Sequence, residues 1–309
     1  MKKLNGEAPK PSICIIGPGI VGQAQGKVFI KYGFETAFLG GNLQKTEKLR
    51  KEGYIAYSRE ELFDGDYDFD ISMLTVSTPT INGAVNLDPI TSASIDLGKR
   101  LKLSKKDYHL VVVKSTVPPG TTEDIVVKMV EKYSGRKLGK GLGLCMNPEY
   151  LREKTAYEDT LHPWIILIGE HDESSGNMLG EVYKKSECPV FRCTIKEAEF
   201  QKYVHNLFNS SKITFFNEMR EIGKKIGLDT KKIFEVTTLS AEGMWNPKYG
   251  IRDFGPFSGN CLPKDTQALL RWVHQNGLDA HLLKAIVEAN NALIQKNGLA
   301  KKKIIGMEL

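Results

Sequence analysis

Between residues 12 and 146 the apolar positions come in short bursts separated by longer mixed stretches. Ser12–Ile16, Thr36–Leu39, Ile71–Val76, Leu110–Val113 and Leu142–Met146 are runs of apolar or β-branched residues, with helix-like segments and Gly or Pro punctuation between them. Runs this short read as strands. Their alternation with helices predicts an α/β fold with a doubly wound, mostly parallel sheet. Trp164–Ile168 and Val190–Arg192 extend that sheet or edge a second one. From Ile195 the pattern changes. Residues 195–225 contain no proline, and Phe200, Tyr203, Leu207, Ile213, Phe216 and Ile222 recur at helical spacing, which predicts one long helix ending near Gly227. Helices near 230–238, 266–276 and 280–297 follow. The division is a sheet-containing domain over 1–194 and a mainly helical domain over 195–309, joined by the long helix.

At 309 residues the chain is long enough for two domains with cores of their own. Hydrophobic residues at 41% and charged residues at 26% are ordinary for a globular protein, so composition alone singles out no special class. A formal charge of +6 suits an anionic ligand. No basic run is interleaved with aromatics, which argues against nucleic acid as a partner. Lys301, Lys302 and Lys303 read as a solvated tail. The five cysteines form an odd set without CxxC spacing, which points to a reducing compartment and away from a disulfide framework or a zinc site. Cys14 and Cys145 sit in strand-like runs and read as core. The opening MKKLNGEAPKPS is a polar tail, not a signal peptide, and no stretch is apolar enough to span a membrane. The expectation is a soluble, cytoplasmic protein with no membrane partner.

Chemistry concentrates at the ends of the strand-like runs. Gly17-Pro18-Gly19-Ile20-Val21-Gly22 follows the first run and opens the first helix, the context in which GxGxxG cradles a dinucleotide pyrophosphate. The arrangement is Rossmann-like. The second strand, however, ends in Gly40-Gly41-Asn42 with Lys45 close behind, where an NAD site usually carries an acid for the ribose 2′-hydroxyl. Either Asn42 bonds those hydroxyls of NAD without charge, or NADP is accepted as well. An Asp at Gly40 is expected to sharpen the preference for NAD. Thr78-Pro79-Thr80 and Lys114-Ser115-Thr116-Val117-Pro118-Pro119-Gly120 occupy strand-to-helix turns that face the ligand crevice, or serve simply as structure. Asn147-Pro148-Glu149-Tyr150-Leu151-Arg152-Glu153 places two carboxylates four residues apart, on one helix face or merely near each other in a loop. In the long helix Lys202 and Asn206 are i,i+4 neighbours and Asn217 lies on roughly the same side, a catalytic row or a polar interface stripe. Cys261 stands two residues before Pro263, a residue favoured in the first turn of a helix. A thiolate is favoured there by the helix dipole and by Lys264, with Asp265 in the first turn. A nucleophilic sulfur beside a carboxylate is suited to holding a carbonyl carbon covalently.

In order, GPGIVG, TP, KSTVPPGTT, NPEYLRE, AEFQKYVHN, FNE and GNCLPKD resemble the UDP-glucose/GDP-mannose dehydrogenase family over nearly the whole chain. The resemblance implies two successive NAD-dependent oxidations of a sugar primary alcohol to a uronic acid, with UDP-glucose to UDP-glucuronate the leading case. It implies that Lys202, Asn206 and Asp265 handle the first proton and steady the alkoxide, and that Cys261 captures the aldehyde as a thiohemiacetal that becomes a thioester. Glu149 or Asp265 then serves as base for hydrolysis, with Thr116 positioning the water. Cofactor contacts carry over to Gly17, Gly19, Gly22, Thr78, Thr116, Glu153 and Lys264, and Ile20, Val21, Asn42, Lys45 and Pro79, in the same turns, are further cofactor-binding candidates. Substrate contacts carry over to Glu149, Tyr150, Leu151, Lys202, Asn206, Asn217 and Gly259. The long helix forms the subunit core of a homodimer in this family.

Three departures stand out. The ribose acid is missing, Ser258-Gly259 replaces Gly-Gly before the cysteine, and the segment from Trp245 to Asp253 lacks the common Arg-Ile-Gly wording. Family members also continue into a further nucleotide-type domain, so weak holding of the substrate's nucleotide half is expected here. That leaves two alternatives: a two-electron β-hydroxyacid-type dehydrogenase acting on a smaller substrate, or a non-catalytic subunit.

Overall fold

Strand-forming runs flanked by glycine turns assemble the first part of the chain into one sheet. The computed structural model describes residues 10–63, 68–251 and 255–296. The amino-terminal tail, Lys301, Lys302 and Lys303, and Arg252 and Asp253 lie outside the described residues. In chain order the elements are β1 (Ile13–Ile16), α1 (Ile20–Lys31), β2 (Thr36–Gly40), α2 (Leu43–Lys51), β3 (Ile55–Ser58), β4 (Ile71–Leu74), a small hairpin of β5 (Thr80–Ile81) and β6 (Ala84–Val85), and α3 (Asp88–Leu101). Next come β7 (His109–Val113), a π-helical turn (Thr122–Val126) running into α4 (Val127–Ser134), β8 (Lys137–Leu138), β9 (Gly141–Met146), α5 (Ala156–Leu161), β10 (Ile166–Glu170), α6 (Glu173–Tyr183) and β11 (Val190–Thr194). The remainder is helical: α7 (Ile195–Lys225), α8 (Thr230–Ser240), α9 (Glu242–Trp245), α10 (Leu262–Gln275) and α11 (His281–Lys296).

The sheet order is β11-β10-β9-β7-β4-β1-β2-β3, with β8 pairing beside β9. From β3 across to β9 this path is parallel, while β10 runs antiparallel to β9. The order reverses between β1 and β4, so the turns after those two strands flank a switch point, where doubly wound sheets bind ligands. Side chains alternate across the sheet as strand geometry requires. Cys14 and Ile16 join Val111, Val113 and Leu144 under α3 and α4. Ile13 and Ile15 join Phe38, Met73 and Val112 under α1 and α6. Both faces are covered, which accounts for the continuous apolar runs.

The chain folds as two compact units, Met1–His205 and Asn206–Leu309, and α7 passes from one into the other. In the second unit Ile222, Val273, Ala280 and Leu283 form a small core. The Glu218 carboxylate accepts hydrogen bonds from the Leu282 and Leu283 backbone N–H groups (2.7 and 3.1 Å), satisfying the start of α11. The short edge strand β3, with Ile55 exposed, carries too little apolar signal to stand out. Helix α10 starts at Leu262, as Pro263 in its first turn implies, four residues ahead of the stretch that its apolar period marks.

Candidate active site

The turn after β1 forms a cradle whose three glycines do different work. Gly17 has φ +97°, and a Cβ there would lie 2.7 Å from the Val76 backbone nitrogen. A Cβ on Gly22 would lie 2.5 Å from Thr75 Oγ1, so helix and strand approach closely only because both positions are bare. Around Gly19 a Cβ would meet nothing within 4 Å. Gly19 is also the N-cap of α1 and supplies no side-chain cap, which leaves the first-turn N–H groups for an anion. Ile20 is exposed and Val21 half-buried beside this opening. Open space in front of an uncapped helix start fits the pyrophosphate of a dinucleotide.

The next turn departs from the expectation built on sequence. Asn42 is the N-cap of α2, and its Oδ1 accepts the Lys45 N–H at 3.0 Å. That leaves its amide nitrogen as the group available to a ribose. Gly40 is buried, and a Cβ there would press on the Pro18 ring at 2.9 Å. An Asp at Gly40 would therefore disturb the cradle itself. Gly41 is exposed, and a Cβ there would meet nothing within 4 Å, so it is the position open to an acid.

Pairing of β4 with β7 places the two following turns side by side. Thr78 Oγ1 donates to the Thr116 carbonyl at 2.7 Å, and Ser115 Oγ donates to the Val76 carbonyl at 2.6 Å. Pro79 is exposed and Thr116 half-buried at this edge. The far end of the KSTVPPGTT turn is held by Glu199, which is fully buried and accepts from the Gly120 and Thr122 N–H groups (2.5 and 2.8 Å). Burial pushes its carboxyl up, more than these hydrogen bonds pull it down.

One turn further along α7, Lys202 is 3% exposed and meets Glu149 from the turn after β9, Nζ to Oε1 at 3.0 Å. The same ammonium donates to the Glu149 carbonyl. The Glu149 carboxylate also accepts the Leu151 N–H at 2.8 Å. The ammonium lies 5.4 Å from the centre of the Tyr150 ring, whose centre is 4.9 Å from that of the His205 ring with the planes tilted by 58°, while the Tyr150 hydroxyl bonds Gln201. Burial lowers the His205 imidazole below its ordinary range and raises the Tyr150 phenol. The stretch from Asn147 to Arg152 is not helical, so Glu149 and Glu153 do not share a helix face. Glu149 is engaged with Lys202, and Glu153 is exposed at the start of a short turn of 3-10 helix.

The other sequence-derived positions belong to the second unit. Asn206 is exposed on α7, one turn beyond Lys202, and Asn217 accepts from Arg220 at 2.7 Å. Cys261 is the exposed N-cap residue of α10, and its carbonyl accepts the Asp265 N–H at 2.8 Å. Lys264 and Asp265 form an ion pair, and the carboxylate raises the Lys264 ammonium above its ordinary range. Gly259, at φ +89°, makes the turn before the thiol in a conformation that disfavours any side chain.

Glu199 and Lys114 were not singled out by sequence. Glu199 is an acid inside a helix run rich in apolar residues. Lys114 directly follows five buried strand residues, where a lysine is out of character. These are the signals that mark them.

Fold and cradle together define a dinucleotide-binding α/β unit. Residues 62–187 match the NAD binding domain of the UDP-glucose/GDP-mannose dehydrogenase family, and residues 196–292 match that family's central domain. The chain is 38% identical over 228 residues to a GDP-mannose 6-dehydrogenase of Azotobacter vinelandii, covering 74% of this chain and 52% of the relative. It is 35% identical over 238 residues to a UDP-glucose 6-dehydrogenase of Haloferax volcanii, covering 74% and 54%. A ternary-complex crystal structure of GDP-mannose dehydrogenase from Pseudomonas aeruginosa superposes with a TM-score of 0.85 at 30% identity, covering 94% of this chain and 71% of that one. The chain belongs to the UDP-glucose/GDP-mannose dehydrogenase family. It spans about half the length of the curated relatives it matches.

Proposed function

We propose that the chain carries the catalytic part of an NAD-dependent nucleotide-sugar 6-dehydrogenase, oxidising a hexose primary alcohol to a carboxylate in two steps. The observation that carries this reading is the ion pair of buried Lys202 with half-buried Glu149 at the carboxyl end of the sheet. A lysine removed from water and held by a carboxylate is equipped to steady an alkoxide and to relay its proton. Bound NAD supplies a hydride acceptor for each oxidation. In the first, the hydroxyl proton passes to a water held by Lys202, Asn206 and Asp265. The Cys261 sulfur then adds to the aldehyde carbon while its proton goes to the aldehyde oxygen, and loss of the second hydride, with that hydroxyl proton passing to water, leaves a thioester. Water placed by Thr116, with Glu149 or Asp265 taking its proton, adds to that carbonyl and expels the thiolate. A covalent adduct keeps the aldehyde from escaping.

The two sugar nucleotides to discriminate are GDP-mannose and UDP-glucose, since relatives of both kinds match this chain. Purified protein is incubated with each, with NAD and with NADP, and reduced cofactor is counted against acid product. Two per acid is expected. One per substrate consumed, with a carbonyl product and no acid, supports the two-electron β-hydroxyacid-type reading, and no reduced cofactor supports a non-catalytic subunit. Five free thiols suit a reducing compartment such as the cytoplasm. We also infer a homodimer through α7, on which Phe200, Val204, Leu207, Phe208, Ile213 and Phe215 are exposed. A light-scattering mass equal to one chain at micromolar concentration would exclude it.

A further inference from the structure

Glu199 stands on the first part of α7 with no exposure to solvent, beside buried Ile195 and Ala198. A carboxylate removed from water is costly unless its oxygens are satisfied. Both are: Oε2 accepts the Gly120 N–H and Oε1 accepts the Thr122 N–H. These amides flank Thr121, the N-cap residue of the π-helical turn that runs into α4, and Thr121 makes no side-chain cap. A helix start leaves such N–H groups without acceptors of its own, and here the acceptor comes from a helix 77 residues away in sequence.

Helix α7 is itself fixed at this end. Thr194 and Glu197 cap it reciprocally, with the Thr194 N–H donating to Glu197 Oε2 at 2.8 Å and the Glu197 N–H to Thr194 Oγ1 at 3.3 Å. A Cβ on Gly169 of β10 would lie 2.6 Å from the Ala198 Cβ, so the helix lies close against the sheet. The KSTVPPGTT turn is thus held at both ends. Thr78 and Ser115 tie its near end, and Val117 is fully buried. Glu199 ties its far end, where Gly120 makes the bend at φ +95° and a Cβ would lie 3.6 Å from Lys196 of α7. Thr116 lies just before this bend, and Lys202 lies one helical turn beyond Glu199.

We propose that Glu199 is a positioning residue: through the Gly120 and Thr122 amides its carboxylate fixes where the turn after β7 stands against α7, and so where the Thr116 hydroxyl meets the water that attacks the thioester. The proposal rests on the function proposed above. A carboxylate suits the task because one group offers two charge-assisted acceptors, each stronger than a neutral one. Gln has the same shape but a single acceptor oxygen, and its NH2 group would face the other amide donor. One tie is then lost, and the turn shifts while the fold is kept.

Hydrogen exchange and a double-mutant cycle test this. In wild type the Gly120 and Thr122 amides are expected to be protected, and in Glu199→Gln at least one of them exchanges ~10-fold faster while the Val130 amide in α4 is unchanged. Fast exchange of both in wild type, or no change in the variant, overturns the proposal. In the cycle, kcat for acid formation is measured with and without Thr116→Val, which removes the hydroxyl. Glu199→Gln is expected to lower kcat ~10-fold when Thr116 is present, the scale that a small misplacement costs. With Thr116→Val it is expected to lower kcat less than ~2-fold, because a residue acting through that hydroxyl has nothing left to place. A merely structural glutamate lowers kcat by the same factor in both backgrounds, and that result overturns the proposal. If Glu199→Gln does not fold, Glu199→Asp takes its place in both arms, keeping two acceptors but withdrawing them by one methylene. If wild type oxidises no sugar nucleotide, the proposed function falls, and hydrogen exchange still decides whether Glu199 holds the turn.

Discussion

Replacing His109 by Asn removes one buried titration and so tests how the sheet responds to acid. His109 opens β7, is 1% exposed, and its Nδ1–H donates to the Phe69 carbonyl at 2.9 Å. Its Nε2 has no partner among the described residues, so a proton there is not solvated. Burial is the main cause that pushes the imidazole from 6.5 down to about 4, with Arg136 adding to it and Asp70 and Asp68 opposing. The folded state therefore binds this proton more weakly than the unfolded chain does. The sign follows: the stabilising difference is complete above pH ~6.5 and is lost as pH falls from there toward ~4. Linkage with these two values gives a loss of ~2.5 kcal/mol between pH 7.5 and 4.5. Asn keeps a donor for Phe69 and cannot titrate. Any void it leaves costs the same at both pH values and cancels. Denaturant unfolding of both proteins at both pH values is the assay. Wild type is expected to lose ~2.5 kcal/mol more than His109→Asn on acidification. Equal losses would refute the argument and mean that water reaches Nε2.

Three further outcomes are expected. Cys261→Ser keeps cofactor and sugar-nucleotide binding but stops acid release, because a hydroxyl is the poorer nucleophile and its ester hydrolyses more slowly; full turnover by this variant excludes covalent catalysis at Cys261. Lys202→Ala lowers kcat by ~10²–10⁴, the scale of a positioned proton-transfer group, and a change below a few-fold assigns Lys202 to structure alone. Wild type discriminates weakly against NADP, and Gly41→Asp sharpens the preference for NAD whereas Gly40→Asp weakens binding of both cofactors, since a side chain at Gly40 meets Pro18. Rejection of NADP by wild type at ~10³ or more, about 4 kcal/mol, contradicts this view of the loop.

The parts legible in the sequence are those encoded over a few residues. The strand runs of β1, β2, β4, β7 and β9, the Gly17–Gly22 cradle and the whole span of α7 follow from local period and turn chemistry, and each stands where its pattern places it. Cys261 at a helix start likewise follows from Pro263 two residues on. By contrast β3 is not legible in the sequence, because a four-residue edge strand with an exposed isoleucine has almost no period.

What the tertiary structure decided was which neighbours each polar group meets. Lys202 and Glu149 are 53 residues apart, and Glu199 reaches its backbone partners across 77 and 79 residues, so neither pairing is written in local spacing. Asn42 reads as a ribose ligand, yet the folded turn uses its oxygen to cap α2. Gly40 looks like the place for an acid until Pro18 is seen against it. Sequence period determines backbone conformation because hydrogen bonding and side-chain alternation are local. Burial and charge environment are set by segments brought together through strand pairing, so the contacts of Lys114 with Asn147 and of Lys202 with Glu149 exist only once β7, β9 and α7 have met.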